Sequence, residues 1–228
     1  MVERIIVGPL RTNTYIVSTA KKQCIVVDPG GDIDHILQRL EALNMKPVAV
    51  VMTHGHLDHT AMASRIRDKY QGIPIGIHKA DKALLHGSSR DEHLATFETL
   101  TADAMQAVDT LYDSLPKPDF FLKDGQQLLD SDLSVIHTPG HTSGSVCFYS
   151  EEREALFSGD TLLFTTVGSA DGRDSNTRDL LASITEKLFR LPEQTRLFPG
   201  HGPISSLERE MRNNIGLREK KTLLSRTL

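Results

Sequence analysis

A seven-residue segment, Thr53–His59, constrains the fold and chemistry of this chain more than any other part of the sequence. It reads Thr-His-Gly-His-Leu-Asp-His and places four possible metal ligands within six residues. It directly follows Val48–Met52, a continuous apolar run that predicts a strand covered on both faces. A ligand-rich loop at the end of a buried strand indicates a metal centre built onto a sheet.

The spacing of these ligands suits two metal ions. Residues two apart in an extended loop face the same way, so His54 and His56 can bind one ion together. We expect Asp58 and His59 to begin a helix, and that turn directs them to another side, where they can bind a second ion. A carboxylate near a helix N-terminus is also electrostatically favourable.

Three further candidate ligands lie at predicted turns next to strands, each flanked by glycine: His141, Asp160 and His201. Glycine lets the backbone bend tightly and leaves room beside an ion, which favours a ligand role for these three residues. The remaining histidines lack this setting and are interpreted as surface or core residues: His35, His78, His86, His93 and His137.

The order of predicted elements favours two sheets. Short strands fill the first third of the chain and return after residue 126, and helical patterns follow each group. Among these helices, one over 33–43 is capped by Asp32, one covers 61–70, one covers 178–189, and the last begins at a capping box over Ser205–Glu208. Without a linker-like tract, we predict one domain over residues 1–228, with helices outside two packed sheets and a helical insertion at 79–118.

The composition of the chain limits the classes of partner that we expect it to bind. The chain has 26 basic and 30 acidic residues, a net charge of −4 and a pI near 6.2, so no basic surface forces a nucleic-acid or anionic-membrane partner. The longest apolar run is too short for a membrane span, and the N-terminus does not resemble a signal peptide. Two cysteines, Cys24 and Cys147, predict buried reduced thiols. We expect a soluble cytoplasmic protein, and its oligomeric state is not predicted.

The ligand candidates together resemble the metallo-β-lactamase superfamily. Their spelling is most similar to the glyoxalase II (hydroxyacylglutathione hydrolase) branch, in a short form, since only 27 residues follow His201 and leave no room for a C-terminal helical domain. The resemblance extends to four further segments: Asn13–Tyr15, Val27–Gly31, Phe157–Leu162 and Val167–Gly168. It implies an α+β fold, the four-layered αββα sandwich, with the site at one end of the sheets.

The resemblance also implies roles for the ligands and a reaction. It assigns His54, His56 and His141 to the first metal, Asp58, His59 and His201 to the second, and Asp160 to a bridge between them. Two divalent ions are expected, with zinc the default and iron or manganese also compatible with these ligands. A metal-bridging hydroxide, oriented by Asp58 as the catalytic residue, would attack the thioester carbonyl of a small acyl-thiol such as a hydroxyacylglutathione.

Two alternatives stay open on the sequence. One is a mononuclear-iron persulfide dioxygenase, and the other is a lactonase or esterase. Asp160 stands where metallo-β-lactamases usually carry Cys or Ser, which argues against β-lactam hydrolysis. The segment Pro199–Pro203, spelled Pro-Gly-His-Gly-Pro, favours a hydrolase over a dioxygenase. The metal count separates these classes, because the dioxygenase uses one iron.

Overall fold

The computed structural model describes residues 1–19, 22–86, 93, 115–170, 172 and 174–226. The chain divides into two compact units, residues 1–122 and 123–228. The single domain over 1–228 stays a prediction, and most of the predicted helical insertion at 79–118 lies outside the described residues. Within the described ranges, no helix is both long enough and apolar enough to cross a membrane.

The first unit is built on a six-stranded sheet in which the strands follow sequence order. The first three strands pair antiparallel and the last three add in parallel. Its elements are β1 (Val2–Val7), β2 (Thr12–Ser18), β3 (Gln23–Val27), α1 (Ile33–Ala42), β4 (Lys46–Val51), α2 (Leu57–Thr60), α3 (Ala63–Lys69), β5 (Ile75–His78), a 3-10 helix (Lys79–Leu85) and β6 (Phe120–Leu122).

The second unit is built on a five-stranded sheet in the order β11-β10-β9-β8-β7, in which only β9 and β10 pair in parallel. Its elements are β7 (Ser134–His137), β8 (Val146–Ser150), β9 (Ala155–Gly159), α4 (Thr177–Ala182), β10 (Arg196–Pro199), β11 (Ser205–Ser206), α5 (Leu207–Asn213) and α6 (Ile215–Arg226). A π-helical turn (Ser183–Lys187) and a 3-10 turn (Leu188–Arg190) continue α4.

Each unit has its own apolar core. In the first, Ile36 and Leu40 of α1 pack with Val26 and Val50 of the sheet, all without solvent exposure. Each such side chain contributes about 1.5–3 kcal/mol when fully buried. In the second, an equivalent cluster combines α4 and its continuation with β8, β9 and β10. Both cysteines are buried and neither forms a disulfide, which confirms that prediction.

Asp32 does not cap α1 with its side chain, contrary to the sequence prediction. It occupies the N-cap position in a left-handed conformation, with φ 46° and ψ 53°, and makes no capping hydrogen bond. Its Oδ2 instead accepts a hydrogen bond of 2.9 Å from the Gly8 amide. The carboxylate therefore joins the start of α1 to the turn between β1 and β2.

Two other predicted helix boundaries were wrong. The helix predicted over 61–70 is α3, which begins two residues later, at Ala63, because the Met62 amide donates to the Pro29 carbonyl at 2.8 Å. The last group of helices is capped by Ser206, whose Oγ accepts from the Arg209 amide at 3.3 Å. Ser205 lies one residue before the cap, and its hydroxyl donates to Glu210 Oε1 instead.

Candidate metal centre

The histidine-rich loop follows β4 in the first unit, and its side chains converge. His54 and His59 are almost fully buried, and their ring centroids lie 4.1 Å apart. The Nε2 atom of His54 lies 3.1 Å from Nδ1 of His56, whose ring is half-buried. Leu57 begins α2 directly afterwards, one residue before the start that was predicted at Asp58.

Asp28 fixes the protonation of two of these histidines. Its buried carboxylate accepts from the Thr53 amide and the Thr53 hydroxyl at 2.7 Å each, and from Nδ1 of His59 at 3.0 Å. Because the Thr53 hydroxyl hydrogen is directed to Asp28, its oxygen accepts from Nδ1 of His54, 3.0 Å away. His54 and His59 thus each carry a proton on Nδ1, and the lone pair of each ring is on Nε2.

Asp58 is held at the start of α2 by neighbours on both sides. Its Oδ2 accepts a 2.8 Å hydrogen bond from the Thr12 hydroxyl and lies 3.4 Å from Nε2 of His59. Only 5% of the residue is exposed. The backbone of Gly30 lies directly beneath it, so that a Cβ added there would lie 1.4 Å from the Asp58 carbonyl oxygen.

The other three predicted ligands meet in the second unit, in loops that follow β7, β9 and β10. Because β7 runs parallel to β9 and β10, all three loops leave the same edge of the sheet. Asp160 Oδ2 lies 3.8 Å from Nε2 of His141 and 3.5 Å from Nε2 of His201. Nδ1 of His141 donates to the Ser169 carbonyl at 2.8 Å, so its Nε2 also keeps a lone pair.

The candidate ligands of each unit fit a divalent ion. They consist of imidazole nitrogens and carboxylate oxygens, which suit zinc, iron and manganese. Two nitrogens bound to one tetrahedral zinc at about 2.0–2.1 Å lie about 3.3–3.4 Å apart, close to the 3.1 Å between His54 and His56. His141 and the pair His54 and His59 have the hydrogen bonds that orient metal-binding imidazoles. The division of seven ligands between two ions stays a prediction.

Sequence reasoning missed several residues that hold the loop. Asp28 was recognised only as part of the segment Val27–Gly31, although β3 and β4 are parallel neighbours whose carboxyl ends meet at one edge. Asp81 and His93 are fully buried and bind the loop backbone. His93 was interpreted as a surface or core residue, and the core interpretation is correct. Burial lowers the pKa of His93, which keeps its ring neutral.

Comparisons with known proteins place the chain in a family. The model of the metallo-β-lactamase superfamily matches residues 7–201. The probable metallo-hydrolase YqgX of Bacillus subtilis is 33% identical over 214 residues, which cover 92% of this chain and 94% of that protein. The hydroxyacylglutathione hydrolase GloC of Haemophilus influenzae is 29% identical over 222 residues, which cover 96% and 99%.

Two solved structures are similar over nearly their whole length. The crystal structure of the BLEG-1 B3 metallo-β-lactamase has a TM-score of 0.82 and 33% identity, and the match covers 95% of this chain and 99% of that one. The di-iron-bound form of TTHA1623 has a TM-score of 0.77 and 31% identity, with 93% and 98% covered. These matches confirm the predicted α+β fold class. The protein therefore belongs to the metallo-β-lactamase superfamily of metal-dependent hydrolases.

Proposed function

We propose that this protein is a dinuclear metal-dependent hydrolase of the glyoxalase II type, which cleaves the thioester bond of a small acyl-thiol. The observation that carries the proposal is the protonation pattern of His54, His59 and His141. Each donates a hydrogen bond from Nδ1, so that Nε2 carries the lone pair with which imidazole binds a metal ion. Outer hydrogen bonds of this kind orient metal-binding histidines.

Under this proposal the seven ligands bind two ions. One ion is bound by His54, His56 and His141, the other by Asp58, His59 and His201, with Asp160 as the shared ligand. TTHA1623, a relative with 31% identity, crystallised in a di-iron-bound form, which supports a dinuclear centre. Zinc is our first choice of metal, and iron and manganese are tested beside it.

Two bound divalent ions would lower the pKa of an attacking water and would stabilise the negative charge of a developing oxyanion. The role that we assign to Asp58 is to orient that water, since the Thr12 hydroxyl restrains its carboxylate at 2.8 Å. A thiol has an ordinary pKa of about 8.5, so a thiolate leaves without a dedicated proton donor. The acyl-thiol class is supported by the name of the GloC relative.

The test is thiol release from S-lactoylglutathione by protein loaded in turn with zinc, manganese and iron, with the metal content measured on the same samples. We expect two metal ions per chain and thiol release. We expect Asp58→Asn to lower the turnover rate by at least about 10²-fold, the lower range for a positioned acid or base. The matched control is Asp34→Asn, an exposed carboxylate on α1 that should leave the rate unchanged.

The same samples test the alternatives. A protein that holds two metals but releases no thiol would overturn the thioester assignment, and turnover of a lactone or of a β-lactam would then identify the substrate. The β-lactam arm is included because BLEG-1 is named a B3 metallo-β-lactamase. One iron per chain, with oxygen consumed when glutathione persulfide is added, would identify the protein as a dioxygenase and not a hydrolase.

A further inference from the structure

The backbone of the histidine-rich loop is held at every second residue by a buried side chain. The Thr53 amide donates to Asp28 Oδ1 at 2.7 Å. The Gly55 amide donates to Asp81 Oδ2 at 2.8 Å, and the Leu57 amide donates to Nδ1 of His93 at 3.3 Å. The candidate ligands alternate with these amides, so His56 lies between the two amides that Asp81 and His93 hold.

The acceptors for the second and third amides are linked through the 3-10 helix at Lys79–Leu85. Asp81 lies within this helix, and the Leu84 carbonyl accepts from Nε2 of His93 at 2.7 Å. The Leu84 side chain also covers Gly55, where an added Cβ would lie 2.8 Å from Leu84 Cβ. The helix and His93 therefore hold the loop on both sides of His56.

Burial of the Asp81 and His93 side chains costs free energy, and packing alone does not explain why they are buried. Asp81 and His93 have no solvent exposure, and burial of a carboxylate or an imidazole is unfavourable unless hydrogen bonds compensate for lost hydration. Each residue directs one acceptor atom at the loop backbone. The His93 ring also lies edge-on to the His56 ring, with 6.3 Å between centroids.

We propose that Asp81 and His93 are positioning residues that set the metal affinity of His56 by fixing the backbone on both sides of it. This inference rests on the proposed function, in which His56 is a ligand of the first metal. Neither residue needs to contact metal or substrate. Their effect on metal affinity follows because a ligand held in its binding geometry loses less freedom when the ion binds.

The experiment measures zinc affinity by competition with a chromogenic chelator and the visible spectrum of the cobalt-loaded protein. Asp81→Leu and His93→Leu remove the acceptors, and we expect each to weaken zinc binding by about 10- to 100-fold, the usual effect of losing an outer hydrogen-bond partner. Asp81→Asn keeps a carbonyl oxygen for the Gly55 amide. We expect this variant to bind zinc within about threefold of wild type and to keep the wild-type cobalt spectrum.

The matched control is Asp119→Leu, because Asp119 Oδ2 accepts from the Ile75 amide at 2.8 Å elsewhere in the same unit. It should leave zinc affinity unchanged. Wild-type affinity in both leucine variants, or equal weakening in Asp119→Leu, would overturn the positioning role. If Asp81→Leu does not fold, His93→Leu and His93→Asn provide the same comparison, since Asn keeps an acceptor oxygen. Failure of the wild type to bind zinc, manganese or iron would instead overturn the proposed function.

Discussion

Replacement of Asp28 by asparagine tests whether one buried carboxylate organises the histidine-rich loop. Asparagine has nearly the same shape and tolerates the left-handed backbone, with φ 51°, that Asp28 adopts. It carries one acceptor oxygen and one donor group, whereas the Asp28 carboxylate accepts from three donors. The substitution therefore changes the hydrogen bonding at this position with little change in packing.

The expected loss of stability follows from the hydrogen-bond donors that lose their acceptor. If the amide oxygen faces the Thr53 hydroxyl and His59, the amide nitrogen opposes the Thr53 amide, and a buried donor loses its acceptor. An unsatisfied buried group costs about 1–3 kcal/mol, and the remaining bonds lose the strength that the negative charge gave them. We expect a total loss of about 3 kcal/mol in the free energy of unfolding.

The assay is thermal unfolding of the metal-free protein followed by circular dichroism. For a chain of 150–250 residues, 3 kcal/mol corresponds to a decrease in Tm of about 6–12 °C. Asp34→Asn on the exposed face of α1 should shift the free energy by no more than about 0.5 kcal/mol. A decrease of under about 2 °C in Asp28→Asn, with an unchanged spectrum, would refute the view that Asp28 is needed to satisfy these donors.

Two further outcomes follow from other buried groups. Burial acts to raise the pKa of Asp132, but hydrogen bonds from Arg153 and Ser150 outweigh this effect and lower the pKa from its ordinary value of 3.8. Its contribution to stability is thus complete above pH 3.8 and is lost as the pH falls through the lower folded value. Asp132→Asn should therefore lower the free energy of unfolding by about 1–3 kcal/mol at pH 7. Thermal melts of both proteins should show that this difference in stability becomes smaller towards pH 3. A difference that grows on acidification would contradict the pairing of Asp132 with Arg153. Burial also raises the pKa of Cys24 to about 12, so an aromatic disulfide reagent should not titrate this thiol at pH 8 until urea is added; rapid labelling of native protein would show that the site opens.

The ligand candidates were predictable from sequence because their signal is local. Three histidines and an aspartate in one loop after a buried strand are visible without knowledge of the fold, and the loop does follow β4. The residues that hold the loop were not predictable in this way. Asp81 lies 26 residues from Gly55, and His93 lies 36 residues from Leu57. Only the folded backbone brings these pairs together.

Local rules also failed where tertiary contacts competed with them. Asp32 has the residue type and position of a helix cap, but its carboxylate accepts a hydrogen bond from the Gly8 amide instead. The predicted capping box begins one residue early, because the Ser205 hydroxyl donates to Glu210 and Ser206 accepts from the Arg209 amide as the cap. In both cases the residue type suits a cap, and another hydrogen bond engages the side chain instead.

Two of the close glycine contacts, those at the candidate ligands Asp58 and Asp160, have a consequence for how this protein tolerates mutation. Gly30 lies against the Asp58 carbonyl, and a Cβ added at Gly168 would lie 1.9 Å from the carbonyl oxygen of Asp160. The backbone of each of these two candidate carboxylate ligands is thus in contact with a residue that has no side chain. In a saturation mutagenesis screen these two positions would rank among the essential ones, although glycine offers no chemical group. Descendants of this chain could acquire new substrates through the surrounding side chains, yet both glycines would have to persist throughout.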